Sequence, residues 1–146
     1  MNKEQIRKTE AILYDYNVLA LTIEILKEEV DCIENEYNGY ISIGYEERTQ
    51  STNKFNSVVE NELLSKEKIL VKKREELSKK IALKRRVDSA IKLLSDEEKT
   101  IVNKRYLDKL KLSWEEISKT LNYSKEHCRK NIKERALIKI SRIIFI

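Results

Sequence analysis

The sequence predicts an all-α protein: a long antiparallel, coiled-coil-like helical hairpin followed by a small domain of three short helices. Three observations predict it. The 146-residue chain has no proline and only two glycines, Gly39 and Gly44, so helix-breaking residues are nearly absent outside one short segment. Apolar residues recur at helical spacing along two long stretches. Beyond Leu94 the periodicity shortens, and helix-start signals open at Ser95 and again at Ser113.

The first helix is expected over about 4–37. Its apolar positions are Ile12, Tyr16, Leu19, Ile23, Leu26, Val30, Ile33 and Tyr37, spaced alternately by four and three residues, which is a heptad seam. Glu24, Glu28, Glu29, Asp31, Glu34 and Glu36 occupy the other faces, so the helix has one apolar edge and a negative back. Residues 38–56 hold both glycines with several Ser, Thr and Asn and read as a loop, with room for a small strand around Tyr40–Tyr45. A second long helix is expected over 57–94, with a less regular stripe through Val59, Leu63, Leu70, Leu77, Ile81, Val87, Ile91 and Leu94.

Charge is distributed unevenly. Residues 1–65 carry 6 basic against 13 acidic side chains, 66–86 carry 10 against 3, and 96–146 carry 13 against 8. An acidic helix beside a basic one would set opposite charges along the seam of a hairpin, closed within one chain or shared between two. The run Lys66–Arg86 therefore reads first as the flank of that pairing and second as extra phosphate contact. The net charge of +5, concentrated in the second half, tilts the choice of partner towards nucleic acid.

Several function classes are excluded. Cys32 and Cys128 are too few for a disulfide framework, and His127 beside Cys128 gives two adjacent candidate ligands where zinc needs three or four. No metal and no cofactor is expected. A single His, with neither a phosphate-binding glycine loop nor a nucleophile elbow, argues against an enzyme. The apolar stretch Ala11–Leu26 is interrupted by Asp15, Asn17, Thr22 and Glu24, so neither a membrane span nor a signal peptide is read there and a cytoplasmic protein is expected.

The domain expected over 95–146 carries the functional signal. Ser95 with Glu98, and Ser113 with Glu116, have capping-box spacing, and each marks a helix start. The second short helix ends at Asn122, a residue suited to the left-handed turn between helices, and Ser124 caps the third. Ile117, Leu121, Tyr123, Cys128 and Ile132 are spaced to meet between the two crossing helices, the spacing of a helix-turn-helix. The third helix would then enter the DNA major groove. Ser124, Lys125, Glu126, His127, Arg129, Lys130 and Lys133 are the candidate contacts: basic donors for guanine edges or phosphates, and Glu126 as an acceptor for a cytosine amine. Trp114 is expected to pack at the start of its helix against Tyr106 or the base of the hairpin, and Ile143–Ile146 to fold back on the small domain.

Over residues 87–142 the sequence resembles sigma factor region four, and more closely the RinA/ArpU-like phage transcriptional regulators. The matching positions are Leu94, Glu98, Arg105, Tyr106, Trp114, Glu115, Glu116, Ile117, Leu121, Tyr123, Ser124, Ala136 and Leu137. Ser118, Asn122 and Cys128 depart from the usual Ala, Gly and Val and are sterically tolerable. The resemblance implies sequence-specific duplex binding and activation of phage or prophage genes, with contact to RNA polymerase. A homo-oligomer, in the first instance a dimer, would double the phosphate contacts. Two rivals join helical assembly to other roles. One is a DNA-packaging component resembling a small terminase subunit, which would form rings of many protomers; the other is a coiled-coil adaptor that binds polymerase and no duplex.

Overall fold

A computed structural model describes the backbone of residues 2–47 and 53–146, and the side chains of 2–36, 38 and 60–146. The described residues are all-α. Their helices are α1 (Lys3–Tyr14), α2 (Tyr16–Glu47), α3 (Asn53–Lys92), α4 (Asp96–Val102), α5 (Trp114–Leu121) and α6 (Lys133–Ile144). Two π-helical turns add to these: Asn103–Leu107 prolongs α4, and His127–Ile132 leads into α6, so that one helix runs without interruption over 125–144.

Two expectations about the first half are corrected. The single helix over 4–37 is divided at Asp15, where ψ opens to 8°. The ladder survives the opening, since the Asp15 amide donates to the Ala11 carbonyl at 3.1 Å and Leu19 to that of Asp15 at 2.8 Å. Polar side chains just after the break are drawn to distant partners: Tyr16 donates its hydroxyl to Asp88, and Asn17 donates its amide to the Leu107 carbonyl at 2.9 Å. The second correction concerns the loop expected over 38–56. Residues 38–47, including Gly39, Gly44 and the stretch Tyr40–Tyr45, belong to α2, and 53–56 belong to α3; 48–52 lie outside the described residues. Each glycine costs a helix only about 1 kcal/mol, and a growing helix gains a hydrogen bond per residue added, so two glycines without proline do not stop it.

The chain divides into two compact units, residues 22–80 and residues 1–21 with 81–146. In the first, Ile23, Leu26 and Val30 of α2 and Leu70 of α3 are buried, the positions of the expected seam. Acidic residues of α2 meet basic residues of α3: Glu29 with Lys73 at 2.8 Å, Glu34 with Arg74, and Glu36 with Lys66 at 3.0 Å. As partly exposed pairs open to solvent they contribute about 1 kcal/mol each at most, so they set register more than stability.

The second unit falls across the boundary expected at Leu94. Its main core joins Leu13 of α1, Val87 and Ala90 from the end of α3, Leu94 just beyond it, and Val102, Tyr106, Ala136, Leu137, Ile140 and Ile144. The short helices have apolar residues on more than one side, and α1 with the last turns of α3 covers the side that they cannot cover for one another. Ile143 and Ile144 pack into this core as expected, and the Ile144 carbonyl accepts from Arg86 at 3.1 Å. Phe145 and Ile146 remain exposed.

Both capping boxes form. Glu98 and Ser95 exchange hydrogen bonds at 3.4 Å, and Glu116 and Ser113 at 3.2 and 3.4 Å. Glu98 does more than cap: it is buried, and both of its carboxylate oxygens accept from Lys139 of α6, at 2.9 and 3.0 Å. One carboxylate thus ties the start of α4 to α6. Glu98→Ala removes cap and tie together and is expected to cost about 2 kcal/mol, read as a lower urea midpoint with unchanged slope.

Candidate nucleic-acid interface

The segment over 113–133 sits on a small core of its own. Ile101, Ile117, Cys128 and Ile132 are fully buried, with Leu112, Trp114 and Leu121 packed against them. Asn122 lies between α5 and the next helix with φ 58° and ψ 30°, the sole positive-φ residue among those described. Its left-handed conformation turns the chain within two residues, and Asn tolerates that conformation better than most residues do. Ser124 then caps the following helix, its hydroxyl accepting from the His127 amide at 3.1 Å and its carbonyl from that of Cys128 at 3.1 Å.

With Cys128 and Ile132 turned inward, Lys125, Glu126, Arg129 and Lys130 are all exposed on the first turns of the helix over 125–144. Lys125 lies 3.7 Å from Glu115 of α5, with both side chains more than half exposed. Arg129 and Lys130 enter no ion pair among the described residues. Two long cations side by side, with an acceptor at Glu126, form a surface that suits a polyanion.

Three sequence-predicted positions sit differently. Lys133 is half-buried: its ammonium lies 3.5 Å from the Glu10 carboxylate and 5.8 Å from the centre of the Trp114 ring. The π turn at His127–Ile132 is the cause, because one extra residue in the ladder rotates every later position by roughly 100° from an unbroken α-helix. Tyr123, expected in the small core, is 41% exposed and donates its hydroxyl to Glu97 at 2.7 Å. That carboxylate raises the phenol above its ordinary pKa. Trp114 joins the Ile117 cluster and not the core that holds Tyr106, and the Arg105 guanidinium lies 5.2 Å over its ring.

His127 is half-buried, with its ring 5.0 Å from that of Tyr123 and its Nδ1 2.9 Å from the amide nitrogen of Asn131. Glu97 and Glu10 carried no signal in the sequence, since nothing local marks a partner 26 to 123 residues away, whereas Asn131 stands four residues from His127, a helical spacing that could have pointed to the pair.

Cys128 is an apolar packing element of the small core, and burial pushes its thiol above its usual pKa, with Glu97 adding to the effect. Among the described residues no group of three or more His, Cys, Asp or Glu could hold a metal ion, and no helix is long and apolar enough to cross a membrane.

A family model matches residues 5–139, nearly the whole chain, and carries the description "Protein of unknown function (DUF722)". The chain belongs to the DUF722 family. The match takes in most of α1, both capping boxes of this DUF722 chain and its helix from 125 to 139. No curated protein and no solved structure matches it.

Proposed function

We propose that this protein is a sequence-specific double-stranded DNA-binding transcription regulator, an activator of phage or prophage genes that reads the major groove with the helix beginning after Ser124. The observation that carries the reading is the Asn122 turn. It sets the helix over 125–144 across α5 on the buried Ile117, Cys128 and Ile132, with Lys125, Glu126, Arg129 and Lys130 facing out. This is the spacing and burial pattern of a helix-turn-helix, in which the second helix presents its first turns to base edges. The resemblance to sigma factor region four and to RinA/ArpU-like regulators supports the same reading, and gives RNA polymerase as a second partner.

In this account α2 and α3 form an antiparallel helical hairpin. Two of the three ion pairs support it, because Glu29 meets Lys73 while Glu36, seven residues later on α2, meets Lys66, seven residues earlier on α3. The hairpin serves assembly, and a dimer presents two reading helices to a site with two halves.

Fluorescence anisotropy of the full chain against a labelled duplex, repeated over a salt series, tests the reading. Binding with a steep negative dependence on log salt is expected. Lys133→Ala separates the two placements of that residue. Because Lys133 is engaged with Glu10 and Trp114, the substitution should lower the melting temperature by a few degrees and leave the salt slope unchanged. A slope reduced by about one would return Lys133 to the phosphate contacts. Polymerase binding without duplex binding would select the adaptor, and a ring of many protomers the packaging component.

A further inference from the structure

A face of α3 beside the buried Leu70 carries a charge pattern that is its own complement. Leu64 and Val71 are 54% and 47% exposed, and with the exposed Ser78 they form a line spaced by seven residues. Glu67 and Arg74 lie on one side of this line, Lys68 and Glu75 on the other. Measured from Val71, the residues three and four before it read basic and acidic, and those three and four after it also read basic and acidic. Glu67, Lys68 and Glu75 enter no ion pair among the described residues, and the Arg74 guanidinium, bonded to Glu34, is half exposed with donors to spare. A groove lined by Glu34, Asn38, Glu67, Leu70, Val71 and Arg74 opens beside the line.

When a second α3 is laid antiparallel on the first about a two-fold axis through Val71, each Lys68 faces the other chain's Glu75. Each Glu67 likewise faces the other chain's Arg74. Antiparallel coiled helices bring like flanks together, so four opposite-charge contacts arise from one surface. A parallel arrangement in register would instead bring unlike flanks together and set Leu64 and Val71 each against its own copy, a difference that cross-linking reads directly. We propose that this face of α3 is an isologous interface with a second copy of this chain, centred on Val71, with Leu64 seated against the partner's Ser78. This rests on the dimeric part of the proposed function and is independent of DNA binding.

The test is the association of the full chain by sedimentation equilibrium, with anisotropy on duplex read in parallel. Lys68→Glu and Glu75→Lys, each alone, put like charges together at two contacts and should weaken self-association about tenfold. An equimolar mixture of the two variants, and the double variant within one chain, should restore it. In a Cys32→Ser background, Val71→Cys should form an intermolecular disulfide readily and Leu64→Cys should not, because only position 71 faces its own copy. All these positions are exposed, and unchanged far-UV circular dichroism verifies folding. A wild-type monomer, a dimer indifferent to both charge reversals, or preferential cross-linking at 64 overturns the interface. Loss of duplex binding with the association pattern intact overturns the DNA reading alone.

Discussion

Arg129→Ala combined with Lys130→Ala is expected to weaken duplex binding by roughly a hundredfold while leaving helicity and melting temperature unchanged. Both side chains are exposed, so their removal opens no cavity and leaves no buried group unpaired. A contact to a base edge or a phosphate is worth about 1–3 kcal/mol, and two lost together reach the hundredfold range. The salt series assigns roles within the pair. If one residue contacts phosphate, the slope against log salt falls by about one; if both read bases, the preference among duplexes relaxes and the slope stays. Glu126→Ala should change sequence preference at one position without a comparable loss of non-specific affinity.

Tyr106→Ala is expected to have the largest effect on stability, about 3–5 kcal/mol, enough to unfold the unit that holds the helix over 125–144. The ring is fully buried and meets that of Tyr14 edge-on at 4.7 Å, and its hydroxyl donates to Glu10 at 2.7 Å. Glu10 is also the partner of Lys133, so α1 is fastened to two points of the small domain through one carboxylate. Burial, and then the Glu10 carboxylate, raise the Tyr106 pKa far above the ordinary value near 10. The neutral phenol is therefore favoured in the folded state. Its contribution is complete below about pH 10, where the unfolded phenol begins to ionise, and declines as the pH rises further towards the higher folded value. Tyr106→Phe should cost about 1 kcal/mol at neutral pH and flatten the loss of stability above pH 10. An alkaline limb as steep in Tyr106→Phe as in the wild type would place its origin elsewhere.

Local signals in the sequence were the dependable ones. The boxes at Ser95–Glu98 and Ser113–Glu116, the turn at Asn122 and the cap at Ser124 each form as read, because each depends on residues within three or four positions. The heptad seam through Ile23, Leu26 and Val30 is buried for the same reason. Contacts that close over long separations were not legible. Glu10 to Tyr106, Asn17 to Leu107 and Glu98 to Lys139 have no periodicity to betray them, and the first draws α1 into the unit that the sequence placed after Leu94. The π turn at His127–Ile132 defeated the helical wheel at one candidate, turning Lys133 inward while Lys125, Glu126, Arg129 and Lys130 stayed out. Glycine content misled over 38–47, where helix propagation outweighed a weak local preference.

Selection of bound sequences from a random duplex pool, carried out with the full chain at physiological salt, tests the central claim most directly. The account predicts enrichment of one recurring motif, lost when Arg129 and Lys130 are replaced by Ala. A pool that stays random after repeated rounds, or a motif retained in full by that double variant, would contradict it.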